Sequence, residues 1–345
     1  MITGQDITYE DMTVLTTTPM EVTHQTTGNS MSSSSSPEIG FYFVCAVLVI
    51  GIVGTAANAL VLYAMVVSKQ HKKQMLIFNQ NLLDCVSCFF LSATHAAQLV
   101  NVCLDGTRGY WLCVVVYSEG SSWGPFMGSM INLAAITVER YLRVVHHAWV
   151  TKKLHNWMIY SIIVFSWIGG IVIAASVNNS ITEVINGFCL ARMFWKNPTA
   201  RIAYGIWYFL SFYVFILLIF IFCYWRILMV IRHQASVMAT YNASVQDTVQ
   251  TQLKQTQISI IKTMLLVSVL FAITFTPGSV YTFLIYVAEV RRSFNVSYVV
   301  IFITFLYIVI NPFIYATKFD PVRRILTRLI PCKQTTQAVE NIQIN

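Results

Sequence analysis

Seven apolar runs, at roughly 41–67, 75–103, 111–138, 157–178, 202–231, 259–288 and 296–317, constrain this chain more than any other feature. Each is long enough to cross a hydrocarbon layer about 30 Å thick as a helix, which takes about 20 residues at ~1.5 Å apiece. Inside such a layer the backbone must satisfy its own polar groups, so the runs are expected to be helices packed against one another. Composition agrees, since only 10% of the residues are charged, against about 25% in soluble domains. The fold class expected is an all-α membrane protein, a bundle of seven transmembrane helices.

The charges between the runs orient the bundle. Residues 1–40 hold Asp6, Glu10, Asp11, Glu21 and Glu38 but no lysine or arginine, and such a tail is easily translocated. With that tail outside, sixteen of the 22 lysines and arginines fall on inner segments and six on outer ones. This bias predicts a multi-pass plasma-membrane protein with an extracellular N-terminus and a cytoplasmic C-terminus. The net charge of +8 is spread between apolar runs rather than gathered on one soluble face, which argues against nucleic acid. Of the eight cysteines only Cys85 and Cys88 stand in a CxxC spacing, inside the second apolar run, and no Cys/His zinc spacing accompanies them, so no metal site is expected. No charged stretch followed by a short apolar core opens the chain, and the first run is expected to direct its own insertion.

Four regions follow. Residues 1–40 are Thr/Ser-rich and too poor in core-forming side chains to offset ordering entropy, so they read as a disordered extracellular tail. Residues 41–317 form the seven-helix domain, with a polar inner loop at 232–258 expected to be mobile and to run into a helical extension. Residues 318–332 read as a short amphipathic eighth helix. Asp320-Pro321 supplies an N-cap and a first-turn proline, and Val322, Ile325, Leu326 and Leu329 share a face beside Arg323, Arg324 and Arg328. Cys332 just beyond is a candidate acylation site against the inner leaflet of the lipid bilayer. Residues 333–345 are a short cytoplasmic tail.

The third run carries most of the chemistry. From Cys113 to Arg140 it reads as one helix of roughly 40 Å, with the cysteine at its outer end and Glu139-Arg140-Tyr141 at its inner end. An arginine there must pair or reach the interface, and Glu139 is the neighbour able to pair with it. Asp84 lies within the second run, where a carboxylate has to be paired, solvated or protonated. Pro277 and Pro312 each remove a helical hydrogen bond and kink their helices. His95 is alone within the second run. Asn178 and Asn295 begin N-x-S glycosylation sequons on outer segments.

With Glu139-Arg140-Tyr141 on the third run and Asn311-Pro312-Phe313-Ile314-Tyr315 on the seventh, residues 40–332 resemble the rhodopsin-like (class A) G-protein-coupled receptors. Asn58, Asp84, Trp167, Tyr224 and the stretch Phe271 to Pro277 match further motif positions of that family. The resemblance implies a disulfide between Cys113 and Cys189, which both fall on the oxidising side. It also implies an activation switch built from Glu139, Arg140, Tyr141, Tyr224, Phe271, Phe275, Pro277, Asn311, Pro312 and Tyr315. An extracellular ligand would bias a two-state equilibrium in which the inner end of the sixth helix swings out. Arg140 would then be freed to meet a heterotrimeric G protein, with arrestin as a further partner. No cofactor is implied except a sodium ion near Asp84, Ser129 and Asn311. An aspartate merely hydrogen-bonded to Asn58 and Asn311 is the other reading, and the sequence leaves both open.

Departures from the family pattern sharpen the reading. Counted back from Arg140, the family's cysteine belongs at Val115 rather than Cys113. The outer third of the helix is therefore expected to bulge, at Gly120 or at the Gly124-Pro125 step. Ile216 replaces the fifth-run proline, so that helix is expected to be straighter. Phe275 replaces the sixth-run tryptophan. Gln257 stands where an acidic partner for Arg140 often lies, which predicts ligand-free signalling. Phe305 occupies the place of the retinal lysine, so the chain is not an opsin by chemistry. The place of the amine-binding aspartate falls on Ser122 or Gly120, with Glu119 nearby. Ligand contacts are expected at Glu119, Ser122, Glu183 and Phe305. A basic peptide suits Asp105, Glu183, Glu289 and the acidic tail, and a small polar or amine-like ligand is the alternative. A transporter or channel is a remoter reading, since the runs show no internal repeat and one clear buried charge. Enzymatic chemistry is not expected, because nucleophiles and metal ligands do not cluster.

Overall fold

The computed structural model describes residues 12–14, 37–100, 106–153, 155–185, 188–192, 197–240 and 248–329. Eight helices carry the architecture: α1 (Pro37–Val67), α2 (Met75–Val100), α3 (Gly120–Val145) and α4 (Asn156–Ile181). They continue with α5 (Phe215–Thr240), α6 (Thr248–Val287), α7 (Phe294–Lys318) and α8 (Asp320–Leu329). Short helices at Gln70–Lys73 and His147–Lys153 turn the chain at one end of the bundle, and Gly106–Leu112 does so at the other. Helix α5 continues Pro198–Phe209 through a π-helical stretch, Leu210–Val214. The straighter fifth helix expected from Ile216 is therefore not found; the ladder widens just before that residue.

Among the described residues, six helices are long and apolar enough to cross a membrane by themselves. The exception is α3, because it stands at the centre of the bundle against α2, α4, α5 and α6. Its buried side carries Ser122, Ser129, Asn132, Thr137, Glu139 and Arg140. A helix lined this way is solvated by its neighbours rather than by lipid, so it needs no continuous apolar surface.

Hydrocarbon offers no hydrophobic drive between helices, and association rests on close van der Waals approach. The crossing of α3 and α4 shows how close. A Cβ added to Gly170 would lie 2.3 Å from the Gly124 carbonyl oxygen and 2.5 Å from the Gly128 nitrogen, so the two backbones touch. Glycines at i and i+4 on α3 present the matching groove.

At the end of the bundle holding Cys113, a three-stranded sheet lies over the helices. Strands β2 (Thr182–Ile185) and β3 (Phe188–Arg192) form an antiparallel hairpin, and β1 (Met12–Val14) pairs with the free side of β3. Within the tail expected to be disordered, Met12–Val14 is thus a strand, and α1 begins at Pro37 rather than near residue 41. Helices α5 and α6 extend into the polar loop as far as Thr240 and from Thr248. Helix α8 follows α7 after Phe319, and Phe319 and Val322 are both buried in the core.

Candidate functional site

At the outer end, Cys113 and Cys189 form the disulfide that ties β3 to the start of the third crossing. The single long helix read from Cys113 to Tyr141 is interrupted there. Cys113–Tyr117 is π-helical, and Glu119 adopts a left-handed backbone (φ 60°, ψ 12°) before α3 starts at Gly120. The extra residues of this wide turn account for the two-position mismatch between Cys113 and Arg140. The bulge lies before Gly120; through the Gly124-Pro125 step α3 remains helical.

The left-handed turn fixes where Glu119 goes. Its carboxylate accepts from the Trp123 indole (3.1 Å) and lies 3.6 Å from Nε2 of the buried His95, whose Nδ1 meets the Leu91 carbonyl at 2.9 Å. His95, expected to stand alone, and Glu119, expected to contact ligand, are therefore partners. Ser122 faces α2 and accepts from the Ser87 hydroxyl at its carbonyl (2.8 Å), while its own hydroxyl has no hydrogen-bond partner. Phe305 is fully buried, 5.1 Å from the Trp123 ring and 6.0 Å from Phe126. Glu183 lies in β2, and of its side chain nothing is described. Glu289 pairs with Arg201. Asp105 and the acidic tail residues lie outside the described residues, as does Cys332.

Below this mouth, aromatic rings form an unbroken stack. Phe126 packs on Trp123, Phe275, Phe305 and Tyr307, and Phe271 lies between Phe275 (5.1 Å) and Tyr307 (5.6 Å). The indole that the family keeps on its sixth helix is absent here, and Trp123 on α3 brings one into the same stack.

Tyr307 leads into a buried polar core. Asp84 accepts from Ser129 (2.5 Å) and Asn311 (3.0 Å). Gln80 donates to both Ser129 and Tyr307 and accepts from Asn132 (2.8 Å). Asn79 donates to Asn132 (2.9 Å) and accepts from the Trp167 indole (2.9 Å). Asn58 does not touch Asp84; it donates to the carbonyls of Gly54 and Ile308. The simple triad of Asp84 with Asn58 and Asn311 is thus replaced by a network crossing α2, α3, α4 and α7. Gln80, Asn79 and Asn132 are the members sequence reasoning passed over. Their spacing carried no signal, since Asn79 and Gln80 are neighbours in sequence and Asn132 is a lone amide on the third run. The side-chain oxygens of Asn58 and Asn311 are buried without a donor. The Asn311 oxygen, with Asp84 and Ser129, makes an all-oxygen set suited to a hard cation.

At the inner end, Arg140 is 8% exposed and lies 3.3 Å from the Glu139 carboxylate. It also donates to the Gln74 side chain at the start of α2. Glu139 is shared, because Arg143 contacts its other oxygen at 2.6 Å, one helical turn on. Gln74 and Arg143 were not anticipated, since neither lies in a motif. Tyr224 meets Ser268 across α5 and α6 (3.1 Å), and because Ser268 gives its proton to Met264, the tyrosine is the donor. The Tyr315 hydroxyl is buried without a partner. Tyr141 instead packs outward against Phe222 and reaches His146. Pro277 and Pro312 lie inside α6 and α7 as expected. Gln257 lies on α6, and of its side chain nothing is described. Asn178 falls in the last turn of α4, and Asn295 is exposed at the start of α7.

No curated protein matches the chain. The sequence model of the family described as 7 transmembrane receptor (rhodopsin family) matches residues 57–315, which runs from the start of the polar core on α1 to Tyr315 on α7. The disulfide-tied mouth, the polar core and the paired arginine all lie within or beside that span. The chain belongs to the rhodopsin family of seven-transmembrane receptors.

Proposed function

We propose that this receptor carries a signal from an extracellular ligand to a heterotrimeric G protein by releasing Arg140. The observation that carries the reading is the state of that side chain. A guanidinium almost fully buried at a helix end is held by one carboxylate it shares and one neutral amide. Such a clasp is stable enough to hold and weak enough to open, because a shared ion pair and a single hydrogen bond are together worth a few kcal/mol. Opening would leave Arg140 to the partner, with Tyr224 and Tyr315 turning in beside it, and arrestin would use the same cleft. The N-terminus is extracellular and the C-terminus cytoplasmic in this reading, with Asn178 and Asn295 as glycan acceptors and Cys332 acylated.

A basic peptide is the ligand we favour. Met12–Val14 follows Glu10-Asp11 directly and pairs with β3, which supports an acidic tail held beside the mouth. Glu119 and Glu289 are already engaged by His95 and Arg201, so the tail and Glu183 would supply the free negative charge. A sodium ion, where bound, would sit among Asp84, Ser129 and the side-chain oxygen of Asn311, adding a counter-charge to the buried carboxylate. The test is cAMP, calcium and arrestin recruitment in cells expressing the chain, without ligand and with a library of basic peptides. The reading expects ligand-free activity above mock-transfected cells and its loss in Arg140→Ala at equal surface level. A response indifferent to Arg140→Ala would overturn it.

A further inference from the structure

His95 is a buried titratable group at the mouth for which the signalling route has no use. It is 1% exposed, yet its imidazole faces a carboxylate. Its two ring nitrogens are told apart by their neighbours. Nδ1 lies 2.9 Å from the Leu91 carbonyl oxygen, which can only accept, so Nδ1 carries a hydrogen. In a neutral ring Nε2 is then a bare lone pair, and what it faces at 3.6 Å is the Glu119 carboxylate. The other Glu119 oxygen accepts from the Trp123 indole at 3.1 Å, as an ionised carboxylate does. Without a further proton, two acceptors oppose each other where water is largely excluded. With one proton on Nε2, the same geometry is a hydrogen-bonded ion pair.

The surrounding elements leave that contact to the two residues. From α1, Phe43 meets the His95 ring edge-on at 6.1 Å, and Tyr298 of α7 stacks on the Phe43 ring at 4.6 Å. From the wide turn, Tyr117 gives its hydroxyl proton to the Ala97 carbonyl of α2. Among the described residues, neither His95 nor Glu119 has another charged partner. A charge buried there without its counter-charge would be costly, so the proton and the pair come together. The Glu119 side chain is 16% exposed, which leaves the proton a way in. Glu119 also holds a left-handed backbone, which a non-glycine residue keeps only where its contacts over-determine it. The pair with His95 is such a contact, so the proton bears on the turn that follows the Cys113–Cys189 bond.

We propose that His95 and Glu119 form a proton-binding site, with the extracellular proton as a ligand that holds the outer turn of the third crossing. Acid delivers a proton to Nε2, and the imidazolium closes on Glu119. Alkali withdraws it to water and sets a lone pair against the carboxylate. Glu119 lies twenty-one residues before Arg140, roughly 30 Å along the helix. Only the side from which the proton comes rests on the orientation proposed above.

The experiment uses the full-length receptor in phosphatidylcholine nanodiscs, its histidine rings labelled with carbon-13, taken from pH 8 to pH 5 with the unfolding temperature measured at each step. His95→Gln identifies the His95 resonance by its loss and puts a permanent N–H where Nε2 stood. In the parent, the His95 ring is expected to take up one proton and the unfolding temperature to rise by a few degrees with it. His95→Gln should remove that part of the rise. In Glu119→Gln the introduced amide can donate to the neutral Nε2 and still accept from Trp123, so the contact survives without the charge. Proton affinity at His95 should then fall at least tenfold, which moves its titration down by one pH unit or more. A His95 ring that stays neutral to pH 5, or that titrates alike in the parent and in Glu119→Gln, would overturn the proposal. Both readouts are taken without G protein, so they stand or fall separately from the signalling role of Arg140.

Discussion

The two ends of the third crossing are built on opposite principles. The outer end is held by a covalent bond, a left-handed residue and a carboxylate wedged between His95 and an indole. The inner end is held by a guanidinium sharing one carboxylate with Arg143 and resting on a neutral amide. Breaking the first costs folding, whereas breaking the second costs only a conformational preference. On the function proposed, a helix anchored at one end and clasped at the other would transmit a change at its mouth as a change in which clasp is made. The polar core between them, centred on Asp84 and Gln80, joins four helices and keeps the two ends in register.

The comparison breaks first, and most severely, at the anchored end. Cys113→Ser or Cys189→Ser should remove about 2–5 kcal/mol, read as a large fall in folded receptor at the cell surface and in thermal stability. Next comes the backbone contact that holds α3 upright. Gly170→Ala forces a Cβ into the Gly124 carbonyl and should destabilise by about 1–3 kcal/mol. Gly124→Ala meets its nearest atom at 3.6 Å and should leave the unfolding temperature within a few degrees of the parent. If the two behaved alike, the close crossing would not be what stabilises the helix.

The inner end should respond in signalling and not in folding. Arg140→Ala is expected to leave surface level unchanged and to abolish G-protein activation, measured as nucleotide exchange on purified heterotrimer. Gln74→Ala removes a hydrogen bond to a charged group, worth about 1.5–3 kcal/mol, from the resting state alone. Basal exchange should therefore rise about tenfold or more, a result opposite in sign to Arg140→Ala. Equal losses in both would mean that Gln74 supports the active state instead.

Much of this was legible in the sequence, for identifiable reasons. The helices were readable because hydrocarbon enforces them, and Glu139, Arg140, Asn311 and Pro312 because motif residues keep fixed places on known crossings. The two-residue mismatch between Cys113 and Arg140 announced the outer bulge. Of the two places expected for it, Gly120 borders the observed turn and the Gly124-Pro125 step does not; Gly124 and Pro125 look like a weak point, while Glu119, a non-glycine in a left-handed turn, carries no local signal. The same mismatch hid the pairing of Glu119 with His95, which are 24 residues apart in sequence and meet only because the turn rotates the carboxylate inward. Gln74 and Gln80 were overlooked for another reason. A neutral amide at the end of a run or within it reads as noise until its partners are placed. Helix α3 failed as an apolar span because burial among other helices, which no local window reports, removes the need for a hydrophobic surface.

The account's central claim is that the outer end stays fixed while the inner end opens. It is tested most directly by electron paramagnetic resonance distances between spin labels in a background stripped of free thiols, with Cys113 and Cys189 retained. One pair would label Trp149 and Lys262 at the inner ends, and the other Val115 and Val296 at the outer ends. Adding nucleotide-free G protein should lengthen the inner distance and leave the outer one unchanged. An inner distance that does not move while G protein binds, or an outer distance that moves as far, would contradict the account.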